Sequence, residues 1–234
     1  MWRPISTVGF LAAILVLAVA LAACGSSGGS GGAERDPGAL PELAVGDTWT
    51  TRGPVEGEMY TMVQTVTGTD VIDGKECYVL DISMDPPMFG LIDTVTAMMD
   101  RSTMLFLEMK SAGEAPDGAF EFRSTHTYEL PDEPPFPLAV GKEYTVVETE
   151  TTTTTISGES DVETETNTYT YRVEAMEEVT VPAGTFQCFR VVKYGEEGQR
   201  LETSWLAPEV KMFEVKSVDH ETDEVAELLS YSLK

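Results

Sequence analysis

Beyond residue 40 the chain alternates apolar and polar residues, and this period of two is typical of β-strands with one buried face. The alternating segments are short and rich in Val, Thr, Tyr and Phe, and Gly, Pro and Asp bound them. Segment 91–99 has an apolar spacing that suits a helix or a strand equally well. The pattern predicts an all-β protein with strands at 58–67, 76–82, 104–110, 120–128, 143–156, 162–175, 186–194, 201–206, 211–218 and 226–233.

The strand pattern occurs twice along the chain. The sequence PELAVGDTWT at 41–50 is echoed by PLAVGKEYT at 137–145. The sequence VIDGKECYVL at 71–80 is echoed, with a gap of one residue, by VPAGTFQCFRVV at 181–192. Self-similarity of this kind predicts that one β unit is duplicated.

The two predicted halves are residues 41–130 and 131–234, with about six strands each. We expect them to form one β unit, an antiparallel curved sheet or a barrel-like fold. The proline-rich run 131–137 is expected to connect the two halves, because proline has no backbone N–H to donate to a β-sheet. The second half also contains a Thr/Glu-rich hairpin over 149–170. It is either a solvated protrusion or an edge on which a partner docks.

The N-terminus has the features of an export signal. One basic residue, Arg3, precedes an apolar run at 8–23 whose 16 residues are too few to span a bilayer comfortably. The run ends Leu21-Ala22-Ala23-Cys24, which resembles the lipobox of bacterial lipoproteins. The resemblance implies that residues 1–23 are a cleaved signal peptide and that Cys24 carries a diacylglycerol through a thioether.

Residues 24–40 form the predicted lipidated Cys24 and a flexible Gly/Ser tether, because Gly/Ser chains give a folded body reach from the membrane surface. An uncleaved anchor with an ordinary thiol at Cys24 is the alternative, and the tether argues against it. The predicted location is the exported side of the cell membrane or envelope, with a lipid anchor. The choice between inner and outer membrane and the oligomeric state stay open.

The chain is strongly acidic, with 15 Lys and Arg against 40 Asp and Glu and a formal charge of -25. Such a charge repels nucleic acid, so we expect no nucleic-acid partner, and it favours solubility. Export implies an oxidising compartment, in which Cys77 and Cys188 can form a disulfide. Two buried free thiols are the alternative, and the sequence leaves both open.

No catalytic pattern is visible in the sequence. Only His126 and His220 are present, and neither has a second His or Cys at metal-ligand spacing. The Gly-x-Ser-x-Gly elbow, the phosphate-binding loop and the calcium loop are also missing, although the sequence leaves a Ser-His-Asp arrangement open. We therefore expect a protein that is not an enzyme and has no cofactor and no metal site.

Methionine is concentrated in the first half of the chain, at residues 84, 88, 98, 99, 104 and 109. Its flexible side chain suits adaptable apolar cavities, although it also fills ordinary cores. The hypothesis for a ligand site is an apolar wall formed by Met88, Phe89, Leu91, Met98 and Phe106.

The segments VPAGTF at 181–186 and WLAPEVK at 205–211 resemble exported, functionally uncharacterised bacterial envelope proteins. Those proteins usually have Gly where this chain has Lys211, and they are distantly similar to the half-barrels of LolA-like lipoprotein carriers. The resemblance implies an antiparallel β fold and an envelope compartment.

The function expected from the sequence is noncatalytic. A membrane-tethered lipoprotein would bind or carry an apolar ligand, or lipoprotein-like cargo, at the envelope. The alternative is a structural or protein-interaction module of the cell surface. A large dry cavity would favour the first, and a filled core with an exposed apolar patch would favour the second.

Overall fold

The computed structural model describes residues 36–55, 57–88, 90–115, 118–132 and 135–234. The predicted signal peptide and Cys24 lie outside these described residues. The strands are β1 Thr48–Val55, β2 Glu58–Ile72, β3 Lys75–Met88, β4 Ile92–Asp100, β5 Phe106–Ala115, β6 Gly118–Glu129, β7 Glu143–Ile156, β8 Glu159–Val181, β9 Gly184–Tyr194, β10 Arg200–Ala207, β11 Phe213–Asp219 and β12 Val225–Ser232. A single 3₁₀ turn, Pro208–Val210, separates β10 from β11.

The strands form a closed antiparallel barrel in which each strand pairs with its neighbours in sequence. The pairing of β1 with β12 closes the barrel, with Thr48 opposite Ser232. The predicted all-β, barrel-like fold is therefore confirmed. Among the described residues there is no helix long and apolar enough to cross a membrane.

Two strands were not among the ten predicted ones. The ambiguous segment 91–99 belongs to strand β4, whose Ala97 lies opposite Leu80 of β3 with both side chains buried. Strand β1 is interrupted in the sequence by Gly53-Pro54, which reads as a turn. It forms nonetheless, because alternate residues from Trp49 onward are buried and β2 pairs with its whole length.

Matching hydrogen bonds occur at the start of each half. The Gly46 N–H donates to the Val66 carbonyl at 2.8 Å, and the Gly141 N–H donates to the Val173 carbonyl at 2.8 Å. Both glycines have positive φ, +94° and +89°, a conformation that side chains disfavour. The register of the following hairpin shifts just after Val66 and just after Val173. The two predicted halves therefore begin with the same hydrogen bond and the same register shift.

The two cysteines occupy equivalent places in the register. Cys77 lies opposite Asp70, and Cys188 lies opposite Glu177, in each case three residue pairs beyond the bulge. Both are free, buried thiols. Burial raises the pKa of Cys188 to about 12 and raises that of Cys77 above its usual value, which makes both thiols poorly reactive.

The predicted hairpin over 149–170 does not stand free of the sheet. Strand β7 pairs with β6 as far as Ile156 opposite Phe120, so it lies inside the barrel wall. Strand β8 pairs with β9 only from Thr170 onward. The first part of β8, Glu159 to Tyr169, therefore has one open edge with exposed acidic side chains.

Candidate functional site

A cavity of about 60 Å³ lies at one end of the barrel, which leaves room for roughly four water molecules. Most of its wall is apolar, and three polar side chains, Gln64, Lys211 and Glu214, also line it. The main apolar side chains are Leu43, Trp49, Leu80, Met99, Phe106 and Met212.

The segment before β1 covers the cavity. Pro41 and Leu43 of this segment line it, together with Met104 from the β4–β5 turn and Phe136 from the connection between halves. Hydrogen bonds hold the segment in place: among them, the Leu43 N–H donates to the Tyr78 hydroxyl at 3.1 Å, and the Leu138 N–H donates to the Gly38 carbonyl at 2.7 Å. The predicted tether therefore joins the barrel at the end that holds the cavity.

Two polar atoms in the cavity wall have no hydrogen-bond partner. They are Nε2 of Gln64 and Oε2 of Glu214, on side chains of residues that are 2% and 8% exposed. Burial raises the pKa of Glu214 well above its usual value, and the nearby Glu202 carboxyl raises it further. Burial therefore favours the neutral carboxylic acid form of Glu214, which can donate a hydrogen bond.

A further group of polar side chains lies beside Glu214 in the barrel. Glu202 accepts a hydrogen bond from the Ser204 hydroxyl at 3.1 Å. Burial raises the pKa of Glu202 to about 7, although Lys193 acts in the opposite direction. Burial also lowers the pKa of Lys193 against the attraction of Glu202 and Glu148. These groups titrate together and are costly to ionise.

A buried ion pair ties the cavity rim to the start of β1. The Lys211 ammonium lies 2.5 Å from Oδ2 of Asp47, whose side chain is fully buried. The same carboxylate accepts hydrogen bonds from the N–H groups of Ala44 at 2.6 Å and Lys234 at 2.8 Å. Burial favours the neutral acid, but the Ala44 N–H and the Lys211 ammonium outweigh it and lower the pKa of Asp47.

His126 belongs to a buried polar array that resembles a catalytic triad in its distances. Its Nδ1 lies 2.9 Å from the Glu148 carboxylate, and its Nε2 lies 3.0 Å from the Ser124 hydroxyl. Burial would raise the pKa of Glu148, but the hydrogen bond and charge of His126 lower it overall. Ser124 is fully buried and donates to Glu150 at 2.6 Å, so no reacting group can approach it.

The side chains predicted to line one ligand site lie in different parts of the structure. Phe106 lines the cavity. Met88 and Leu91 belong to the apolar core at the β3–β4 turn, at the opposite end of the barrel. Met98 packs with Cys77 and Leu107 in a separate small cluster, while Phe89 lies outside the described residues.

Sequence reasoning missed Gln64 and Glu214. In β2 the side chains of Tyr60, Gln64 and Val66 are all buried, so Gln64 is a polar break in an apolar face. This break was a detectable signal. Glu214 carried no such signal, because an acid in a chain with 40 acids is unremarkable until its burial is known.

The described residues contain no group of three or more His, Cys, Asp or Glu side chains placed to hold a metal ion.

Comparisons with known proteins place the chain in a family. Two solved structures have a weak structural similarity to this chain. One is a Bacteroides fragilis protein described as exported and as having a YmcC-like fold, and the other is a Parabacteroides distasonis protein described as a lipoprotein. The first is 12% identical, covers 83% of this chain and 99% of its own, and has a TM-score of 0.37. The second is 11% identical, covers 83% and 98%, and also has a TM-score of 0.37.

No curated protein matches the chain significantly. The match to a family is extensive, however, since it runs over residues 48–233 and so includes all twelve strands from β1 to β12. The chain therefore belongs to the DUF3108-like family.

Proposed function

We propose that this protein is an exported, lipid-anchored envelope protein that binds an apolar ligand and performs no catalysis. One observation carries the proposal: the mostly apolar cavity lies under the segment through which the predicted tether joins the barrel. A tether attached at that end would keep the cavity end of the barrel facing the membrane, from which apolar molecules could enter the cavity.

Exposed apolar side chains support this orientation. Val45 and Val140 occupy the corresponding turns before β1 and β7 and are 61% and 56% exposed. Eleven residues lie between Cys24 and Asp36, and a Gly/Ser-rich sequence of that length is expected to span roughly 20 Å on average. The cavity end would thus stay close to the bilayer surface.

The cavity is too small for a whole acyl chain, so its wall must move when a ligand binds. Met99, Met104 and Met212 all line it, and methionine has three rotatable bonds and adapts to irregular shapes. Each methylene group that leaves water contributes about 0.8 kcal/mol to binding. The ligand would therefore open the cavity by displacing these side chains.

A protein-interaction module is the second candidate function. The largely filled barrel interior and the open edge of β8 favour it. An added strand could pair with residues 159–169 through backbone hydrogen bonds. The LolA-like resemblance, which favours a carrier, stays a prediction.

Replacing the predicted lipidated cysteine tests the anchor. We expect Cys24→Ser to release the protein from membranes, because the apolar run of 16 residues anchors poorly and acyl chains contribute about 0.8 kcal/mol per buried methylene. Membrane fractionation measures the change, and Ser26→Ala in the same tether should remain bound. A Cys24→Ser variant that still fractionates with membrane proteins contradicts the lipid anchor.

Displacement of a fluorescent fatty acid tests ligand binding. The full chain in lipid nanodiscs should show saturable binding, because the apolar wall can accept a chain. Met99→Trp, which fills the cavity, should weaken binding at least tenfold. Met176→Trp should not, because Met176 is 42% exposed and is not among the cavity-lining residues. Circular dichroism confirms folding. Absence of saturable binding to the wild-type protein retires ligand binding and leaves the interaction module.

A further inference from the structure

The cavity wall contains two hydrogen-bonding groups that the protein itself does not satisfy. Nε2 of Gln64 and Oε2 of Glu214 have no partner within hydrogen-bond distance, although both residues are more than nine-tenths buried. The Ser204 and Ser217 hydroxyls lie near the Glu214 carboxyl and lower its pKa. Buried polar atoms without partners destabilise a fold. Five other side-chain atoms of the described residues are also buried without a partner, but the atoms of Gln64 and Glu214 belong to residues that line one cavity. A polar atom of a bound molecule could satisfy both.

Both groups can donate a hydrogen bond into the cavity. The Gln64 amide carries two N–H donors. Burial and the neighbouring Glu202 raise the pKa of the Glu214 carboxyl and so favour its protonated form, which carries one O–H donor. The complementary ligand atom is therefore a hydrogen-bond acceptor, such as a carbonyl oxygen.

The charges around the cavity disfavour an anionic ligand group relative to a neutral one. Lys211 is the one cation among the residues that line the cavity, and its ammonium is already paired with Asp47 at 2.5 Å. A carboxylate would leave water without gaining a counter-ion, and it would lie beside the acidic Glu214. A neutral carbonyl group avoids both of these costs.

We infer that the cavity recognises an uncharged acyl ester. Its carbonyl oxygen accepts hydrogen bonds from Gln64 and Glu214, and its first carbons contact Trp49, Met99 and Phe106. This inference rests on the proposed function, and it names the chemical class of the ligand. The competing occupant is ordered water, for which a cavity of about 60 Å³ has room.

Three probes with the same chain length separate these occupants. Methyl decanoate offers a neutral carbonyl, decanoate offers an anion and decane offers neither. Each is titrated against a fluorescent acyl probe on the full chain in nanodiscs at neutral pH. We expect methyl decanoate to bind about tenfold more tightly than either of the others, which is the effect of one hydrogen bond of ordinary strength.

Variants assign the effect to the two side chains. Gln64→Leu should weaken the binding of methyl decanoate about tenfold and leave the binding of decane unchanged. It should not lower the melting temperature of the ligand-free protein. Glu214→Gln keeps a donor and should stay within about threefold of wild type, whereas Glu214→Leu should not. Gln187→Leu, at an exposed position of β9, is the matched control. The infrared carbonyl stretch of bound, ¹³C-labelled ester should shift to lower frequency in wild type and less in Gln64→Leu.

Each remaining outcome overturns a specific part of this scheme. Equal binding of decane and methyl decanoate, or wild-type ester affinity in Gln64→Leu, means that the polar atoms hold only water, and the ester inference fails while ligand binding stands. Tighter binding of decanoate than of the ester also overturns it. Absence of binding for all three probes removes the proposed function itself.

Discussion

Replacing Lys211 by alanine is expected to lower the free energy of unfolding by about 3 kcal/mol. The substitution leaves the fully buried Asp47 carboxylate without the ammonium group that pairs with it, although the N–H groups of Ala44 and Lys234 still donate to it. An uncompensated buried charge is costly, and the partial exposure of Lys211 places the loss at the low end of the usual range. Urea denaturation at pH 7 measures it.

Two comparison variants isolate the ion pair. Lys216→Ala removes the ammonium that pairs with Glu227 at 3.4 Å on the surface, and it should cost less than 1 kcal/mol. Lys211→Gly removes the same ion pair but relieves the backbone, since Lys211 has a φ of +62°, so it should be about 1 to 2 kcal/mol more stable than Lys211→Ala. Equal, small losses in Lys211→Ala and Lys216→Ala would show that the backbone donors alone hold Asp47.

Stability should fall as the pH rises from about 4.3 to about 7, by an amount on the order of 3 kcal/mol. The reason is Glu202, whose burial raises its pKa to about 7 in the folded protein. The unfolded chain releases the same proton near pH 4.3, so the folded state binds it more strongly. The resulting stabilisation is complete at acidic pH and disappears as Glu202 ionises inside the barrel. Chemical denaturation between pH 5 and pH 8.5 follows it.

Charge repulsion across this acidic protein also destabilises the folded state as the pH rises. A variant at Glu202 must therefore be compared with a variant that removes the same charge elsewhere. Glu202→Gln should make the pH dependence shallower, because its amide oxygen can still accept from Ser204 and no longer titrates. Glu214, whose pKa is also raised by burial, should account for part of the slope that remains. Glu197→Gln, in the exposed β9–β10 turn, removes the same charge and should keep the wild-type slope. Identical slopes in the two variants would assign the dependence to general repulsion.

The strand pattern was predictable from sequence because alternation reports local burial directly. The β7–β8 hairpin is an example: its predicted strands became Glu143–Ile156 and Glu159–Val181. The site was not predictable in the same way. Its residues Gln64 and Glu214 come from strands far apart in the chain, and only closure of the barrel places both on one cavity. Methionine content indicated an adaptable region, but it could not separate Met99 at the cavity from Met98 on the other face of β4.

Position 211 combines backbone strain with a favourable ion pair. Lys211 has a left-handed backbone, with a φ of +62°, which glycine adopts more easily than lysine does. Its ion pair with Asp47 offsets that strain. The strained residue is therefore stabilised by a contact with the turn before β1.

The order of the strands also bears on how the chain reaches its folded state. Every ladder except one joins consecutive strands, so most contacts form between residues that are near in sequence and can assemble quickly. The exception is the seam between β1 and β12, whose paired residues Thr48 and Ser232 are separated by nearly the whole barrel. Closing so long a loop costs the most conformational entropy, which places the seam last in the folding sequence. Until it forms, both seam strands present open edges, and the polypeptide is most exposed to mispairing with other chains.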